Sequence, residues 1–283
     1  MNKVKIITDS TNDLTKELIE KLDILVLPLY VTFGEDSYLD GVDITVNELY
    51  PEVEKRGYLP KTAAISIPLL IDTFEKYINE GYDIIYAGIG KDLSRTYQNA
   101  IMAAEEVNPD RIFVVDSMNL STGTALLLLK ACKDRDNGLS ASEIAENMKK
   151  NAKLVLSQFA IETMEYLHKG GRCGGVAMIV GSALSIKPII AVRDGKLSVI
   201  KKPMGKMKRA LDAMIQQIVA DKDRLDTDHI IITHSLAYES CDYIKAKLEA
   251  EFPGVDIICT VAGCVISSHC GKGTIGILYM VKE

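Results

Sequence analysis

Apolar positions in the first half of the chain fall into two alternating patterns. Short continuous runs at Val4–Thr8, Ile24–Val31, Ile84–Ala87 and Ile112–Val115 read as strands. Leu14–Lys21, Ile67–Ile78, Leu93–Val107 and Leu120–Cys132 instead keep apolar residues at helical spacing. Ser66 is the expected cap of the second of these helices, with Pro68 in its first turn. Strands separated by helices imply right-handed crossovers and a mostly parallel sheet, in which ligands bind at the carboxyl ends of the strands.

The pattern changes after the turn signal Asp136-Asn137-Gly138 and a helix over Ala141–Lys150. Leu154–Ile161, Pro188–Val192, Leu197–Lys201, Ile230–Thr233, Val255–Val261 and Ile275–Val281 read as strands, and Asp194-Gly195 as a hairpin turn between two of them. Met207, Leu211, Met214, Ile215 and Ile218 mark an amphipathic helix. The expected fold class is therefore α/β in two domains. Residues 1–152 form a mostly parallel sheet flanked by helices, and residues 153–283 a mixed sheet with helices.

Composition narrows the class without naming a function. With 283 residues, 47% apolar and 25% charged, the chain has the make-up of a globular protein with a large core. A net charge of −6 argues against wholesale nucleic-acid binding. No apolar run reaches the roughly 18 residues of a membrane span, and Met1–Ile6 leads into a strand instead of a signal peptide core, so a cytoplasmic protein without membrane insertion is expected. Six scattered cysteines without a Cys-x-x-Cys pair read as reduced thiols.

Candidate chemistry collects where strands end. Asp83–Ala87 stops at Gly88-Ile89-Gly90, and Lys91-Asp92-Leu93-Ser94-Arg95-Thr96-Tyr97 opens a helix with hydroxyls in its first turn. Free N–H groups and the positive end of the helix dipole favour a carboxylate or phosphate there, while Ser94 serves equally well as a plain helix cap. Asp9-Ser10-Thr11 and Asp116-Ser117 follow the first and fourth strands, and both also fit turn and capping roles. No phosphate loop, dinucleotide fingerprint, zinc-binding His pair or nucleophile elbow occurs. The four histidines are far apart, and the spacing of Cys264, His269 and Cys270 is not that of a metal site, so no metal or cofactor is expected.

Several of these segments together resemble the DegV family. Asp9-Ser10-Thr11-Asn12-Asp13-Leu14, Pro28-Leu29, Tyr38-Leu39-Asp40-Gly41, Lys61-Thr62, Leu93–Gln98, Asp116-Ser117, Gly170-Gly171-Arg172, Lys187-Pro188 and Ser268-His269-Cys270-Gly271 match its motifs in order. The resemblance implies a fatty-acid-binding protein of two α/β domains, with an acyl chain such as palmitate in a tunnel and its carboxylate near the domain junction. Some members serve as the binding subunit of a bacterial fatty acid kinase, which makes an ATP-using kinase the implied partner. Thr62 resembles the family threonine that bonds the carboxylate, Ser94 its serine partner, and His269 the histidine at the same head group, where a partly charged imidazole would strengthen the bond. Arg172 resembles an arginine near the tunnel mouth that is available to a partner. Ile179, Val180, Leu184, Ile186, Ile189 and Ile190 are candidate tunnel walls, and Lys201, Lys202, Lys206, Lys208 and Arg209 form a basic cluster that reads as a docking patch or a solvated face.

Departures from the family pattern put the kinase role in more doubt than lipid binding. Gly90-Lys91 and Arg95 replace a serine pair and a glycine, so Arg95 is expected to narrow the mouth or pair with the carboxylate. Ala63, Met204 and Lys272 stand where serine, arginine and proline are common in the family. The alternative is a phosphotransferase related to dihydroxyacetone kinase domains, for which His234 would be the residue to examine.

Overall fold

The computed structural model describes residues 2–172 and 186–282. In chain order the first half contains β1 (Lys3–Asp9), α1 (Lys16–Lys21), β2 (Ile24–Leu27), β3 (Tyr30–Phe33), β4 (Asp36–Leu39), α2 (Val46–Arg56), β5 (Lys61–Ala63), α3 (Ile67–Asn79), β6 (Tyr82–Tyr86), α4 (Thr96–Val107), β7 (Ile112–Val114), α5 (Thr122–Asp136) and α6 (Ala141–Asn151). The second half contains β8 (Val155–Ala160), α7 (Glu165–Lys169), β9 (Ile189–Arg193), β10 (Lys196–Lys201), α8 (Met207–Ala220), β11 (Leu225–His234), α9 (Tyr238–Glu251), β12 (Asp256–Val261), α10 (Cys264–Cys270) and β13 (Ile275–Val281).

Among the described residues these strands make three sheets. The first is parallel, in the order β2-β1-β6-β7, and its inner strands are the apolar runs expected of strands covered on both faces. The second is mixed, in the order β10-β9-β8-β13-β11-β12, with only β11 and β12 parallel. Its β9–β10 hairpin turns at Asp194-Gly195, both with positive φ (49° and 78°), as a tight two-residue turn requires.

The third sheet, β4-β3-β5, corrects the expected single strand Ile24–Val31. Pro28 has no N–H for a ladder, and the next N–H, that of Leu29, goes to Ser10 Oγ at 3.1 Å. The chain therefore leaves the parallel sheet after β2 and starts a new one at β3. Helix α2 was likewise not expected, because Pro51 interrupts its pattern. It is held by a capping box between Thr45 and Glu48 and by its buried face of Val46, Leu49 and Tyr50.

Helix α5 lies between the two large sheets and is buried on every side through its first two turns. One apolar cluster joins Ile6 and Ile85 to Leu127 and Leu128 of α5, and these to Ile231 and Leu278 of the mixed sheet. The expected boundary near residue 152 falls at the turn Ala152–Leu154, between α6 and β8.

Candidate functional site

The turn after β6 is set by a buried carboxylate. Asp9 Oδ2 accepts Ile89 N–H at 2.9 Å, and Oδ1 accepts the N–H and hydroxyl of Thr11. Gly88 leaves the room for this, since a Cβ there would stand 2.0 Å from Asp9 Oδ2. Burial pushes the Asp9 carboxyl up while these bonds hold it down, so Asp9 supports the turn from behind. The Ser10 hydroxyl does not take the expected capping role. It donates to Asp40 Oδ2 and accepts Leu29 N–H.

Helix α4 opens at Thr96, later than the expected Leu93, because Leu93 and Ser94 first close a turn onto the Gly90 carbonyl. Ser94 Oγ accepts Thr96 N–H at 3.2 Å, two residues on, a bond that fixes the turn leading into α4 while Arg95 occupies the cap position. Ser94 Oγ also lies 3.0 Å from Thr96 Oγ1, and with the Thr96 hydroxyl donating in that pair the Ser94 proton is available for another acceptor.

Two further elements bring their side chains to the same place. Thr62 sits in β5, whose register against β3 pairs it with Val31. His269 lies in the last turn of the short helix α10, whose start is fixed by two carboxylates from the other half of the chain. Asp40 accepts the N–H groups of Cys264 and Val265, at 2.7 and 3.3 Å, and Asp13 accepts that of Gly263 at 2.8 Å. Thr62 Oγ1 then lies 2.8 Å from His269 Nε2.

The histidine is neutral, which corrects the expected partly charged imidazole. Burial first, and the positive charge of Arg172 second, push His269 down to about 4. Its Nδ1 has no partner among the described residues and faces Gly170, where a Cβ would be 2.2 Å away. An unpaired ring lone pair costs less than an unpaired ring N–H, so the favoured tautomer carries its proton on Nε2 and donates to Thr62. The Thr62 hydroxyl is then free to donate onward.

Thr62, Ser94, His269 and Arg172 line one cavity of about 550 Å³ of empty space, part of it open to solvent. The rest of its wall is apolar, from Ile89, Leu93 and Leu120 of the first half to Phe159, Leu197 and Ile266 of the second. A second cavity of about 360 Å³ shares Leu120, Phe159, Ile266 and Cys270 with the first. Hydroxyls around it are turned onto one another, Thr233 onto Thr122 and Thr260, and Ser235 onto Tyr50 and Ser267. It therefore offers methyl and methylene surface. A wider groove of about 1040 Å³ runs past Lys153, the β9–β10 turn and Gln217, and none of the expected site residues lines it.

Arg172 faces this cavity instead of standing free at the surface. Its guanidinium is half-buried, donates to the carbonyls of Gly170 (2.8 Å) and Leu93 (3.4 Å), and has no carboxylate partner among the described residues. Arg95 is exposed and does not line the cavity. Of the expected tunnel walls, Ile179, Val180 and Leu184 lie outside the described residues. Ile189 and Ile190 are buried in the core, and Ile186 is half-buried, none of them on the cavity. Lys201, Lys202, Lys206, Lys208 and Arg209 form an exposed face around the start of α8. His234 is buried, and its Nδ1 accepts Ala237 N–H at 3.2 Å in the turn before α9.

Sequence reasoning missed Asp13 and Asp40 as the clamps on α10, and Gly170 as the seat of the imidazole. The Asp-Gly and Gly-Gly steps at 40–41 and 170–171 were the available signals, and they specify turns, not contacts.

Comparison with known proteins gives this geometry a context. A family model described as "uncharacterised protein, DegV family" matches residues 3–282. A DegV domain-containing protein of Clostridium perfringens is 35% identical over 280 residues, covering 99% of each chain. The structure of a DegV family protein from Thermus thermophilus, described as fatty-acid-binding, superposes with a TM-score of 0.92 at 26% identity, covering 99% of this chain and 100% of that one. A stearic-acid-binding protein from Eubacterium ventriosum superposes with a TM-score of 0.87 at 27% identity, covering 100% and 99%. From its first strand to its last, this chain belongs to the DegV family.

Proposed function

We propose that this chain binds one long-chain fatty acid, its carboxylate held by the hydroxyls of Thr62 and Ser94, with His269 orienting the Thr62 hydroxyl from behind and Arg172 as the nearby positive charge. The observation that carries the reading is the cavity whose polar lining is these four groups within an otherwise apolar wall. The fatty-acid ligands of the Thermus thermophilus and Eubacterium ventriosum proteins support it. Burying a methylene contributes about 0.8 kcal/mol, so roughly 15 carbons give on the order of 10 kcal/mol before ordering costs, and the carboxylate contacts set polarity and register.

In this reading residues 1–152 and 153–283 act as two domains with the ligand between them. The protein is a binding component with no catalytic residue of its own. It holds the carboxylate at the mouth, where a separate ATP-using fatty acid kinase would reach it. The phosphotransferase alternative has less support, because the lone pair of His234 is already engaged by a turn N–H.

Mass spectrometry of lipid extracted from the purified chain tests the proposal. Near-stoichiometric fatty acid is expected. Protein that carries no lipid and also fails to bind added palmitate or oleate would overturn it. Co-purification of the lipid-loaded chain with a fatty acid kinase tests the presenting role separately.

A further inference from the structure

Each hydroxyl that lines the cavity has a cation beside it in the chain. Lys61 precedes Thr62 in β5, and Arg95 follows Ser94 at the cap of α4. Thr62 and Ser94 are half-buried on the cavity, whereas Lys61 and Arg95 are exposed and do not line it. The main chain of both cations is fixed, since the Lys61 carbonyl accepts the Thr32 hydroxyl and the Arg95 carbonyl accepts Asn99 N–H. Their side chains have no carboxylate partner among the described residues.

The acids beside the cavity-lining segments are engaged elsewhere. Asp116 pairs with Lys91 at 3.5 Å, Glu165 with Lys169 at 2.6 Å, and Glu162 with Lys187. Asp92 stands at the β9–β10 turn, where a Cβ on Gly195 would be 3.3 Å from its Oδ2, and Asp194 is in that same turn. Lys61, Arg95 and the half-buried Arg172 therefore leave positive charge around Thr62 and Ser94 in a chain whose net charge is −6.

We infer, resting on the fatty-acid ligand proposed above, that Lys61 and Arg95 guide the incoming carboxylate to the cavity and raise its rate of capture without touching it once bound. Successive Cα atoms are about 3.8 Å apart, so each cation lies within about 12 Å of the hydroxyl next to it. Screening sets in over about 30 Å in 10 mM salt and about 3 Å in 1 M salt, so the attraction spans that gap only in the first. One unit charge about 12 Å away in water raises the local concentration of a monoanion about twofold. Two such charges give about threefold, and reversing both costs about tenfold. A cation that gripped the bound carboxylate would instead slow its release, and Arg95 is off the cavity wall.

Stopped-flow mixing of the intact chain with cis-parinaric acid, a fluorescent fatty acid, tests this role. The double variant Lys61→Glu, Arg95→Glu should associate about tenfold more slowly than wild type in 10 mM salt. In 1 M salt the two association rates should agree within about twofold, and dissociation should stay within about twofold at both salt levels. Lys150→Glu with Lys247→Glu makes the same change in net charge at exposed positions of α6 and α9, away from the cavity wall, and should slow association no more than about twofold. Equal slowing in that control, slowing that persists in 1 M salt, or an effect confined to dissociation would each overturn the guiding role and leave fatty-acid binding standing. A wild-type chain that binds no parinaric acid at either salt level would overturn both.

Discussion

Thr62→Val keeps the shape of the side chain and removes a hydroxyl that joins β5 to α10. Two bonds depend on that oxygen. The first is the 2.8 Å contact with His269 Nε2, whose loss leaves both nitrogens of the ring without partners among the described residues. Leaving a buried polar group unpaired costs about 1–3 kcal/mol of folding stability, a drop of several degrees in melting temperature for a chain of this size. The second is the proposed bond to the fatty-acid carboxylate. A hydrogen bond to a charged group contributes about 1.5–3 kcal/mol, so Kd for palmitate should rise about 10- to 150-fold. Calorimetric titration with palmitate and thermal melting read the two effects separately, and Thr62→Ser should recover most of both. A Thr62→Val protein that melts early but binds palmitate within twofold of wild type would refute the carboxylate contact and leave Thr62 a structural partner of His269.

Gly170→Ala should weaken palmitate binding as Thr62→Val does, because a Cβ placed 2.2 Å from His269 Nδ1 must push the ring off Thr62; calorimetry and a crystal structure of the variant check it. His269 titrates near 4 in the fold against an ordinary 6.5, so the unfolded chain binds the extra proton and stability falls as pH drops from about 6.5 to about 4, by about 3 kcal/mol, a loss that denaturant titrations of His269→Asn should lack. Asp13, raised to about 8 by burial, runs the other way: its contribution is full below about 4 and is lost as pH rises through 8, so Asp13→Asn should gain on wild type across that window in the same titrations. Phe159 stands between the two apolar cavities, so Phe159→Ala should shift preference toward longer acyl chains, measured by competition among fatty acids of graded length.

The parts of the fold legible in the sequence are those whose environment repeats along the chain. β1 and β6 are covered on both faces, so their burial shows as the short apolar stretches Ile6-Ile7 and Ile84-Ile85-Tyr86, and α3 shows its cap and its stripe together. What was hidden depended on single residues working against the local pattern. Pro28 cut one run into strands of two sheets, and Pro51 disguised α2, which survives because Leu49 and Tyr50 are buried on its inner face. Helix α9 was obscured by charge, since its three buried residues are set among acidic and basic ones.

The site was legible as separate pieces and not as a site. Ser94 sits in a turn whose chemistry can be read locally, but Thr62 and His269 are 207 positions apart, and only the family resemblance linked them before their contact was seen. Their electrostatic state was beyond the sequence altogether, because it is set by burial and by an arginine that folds back onto the Gly170 and Leu93 carbonyls. That state also bears on the ligand. The cavity holds a half-buried guanidinium with no carboxylate partner among the described residues, an imidazole kept neutral partly by that same charge, and two hydroxyls able to donate. Burial opposes the charge on Arg172. A ligand that brings one negative charge on an apolar tail would offset that cost, ease the pressure on His269 and cover the apolar wall in a single step, whereas a neutral lipid would do only the last.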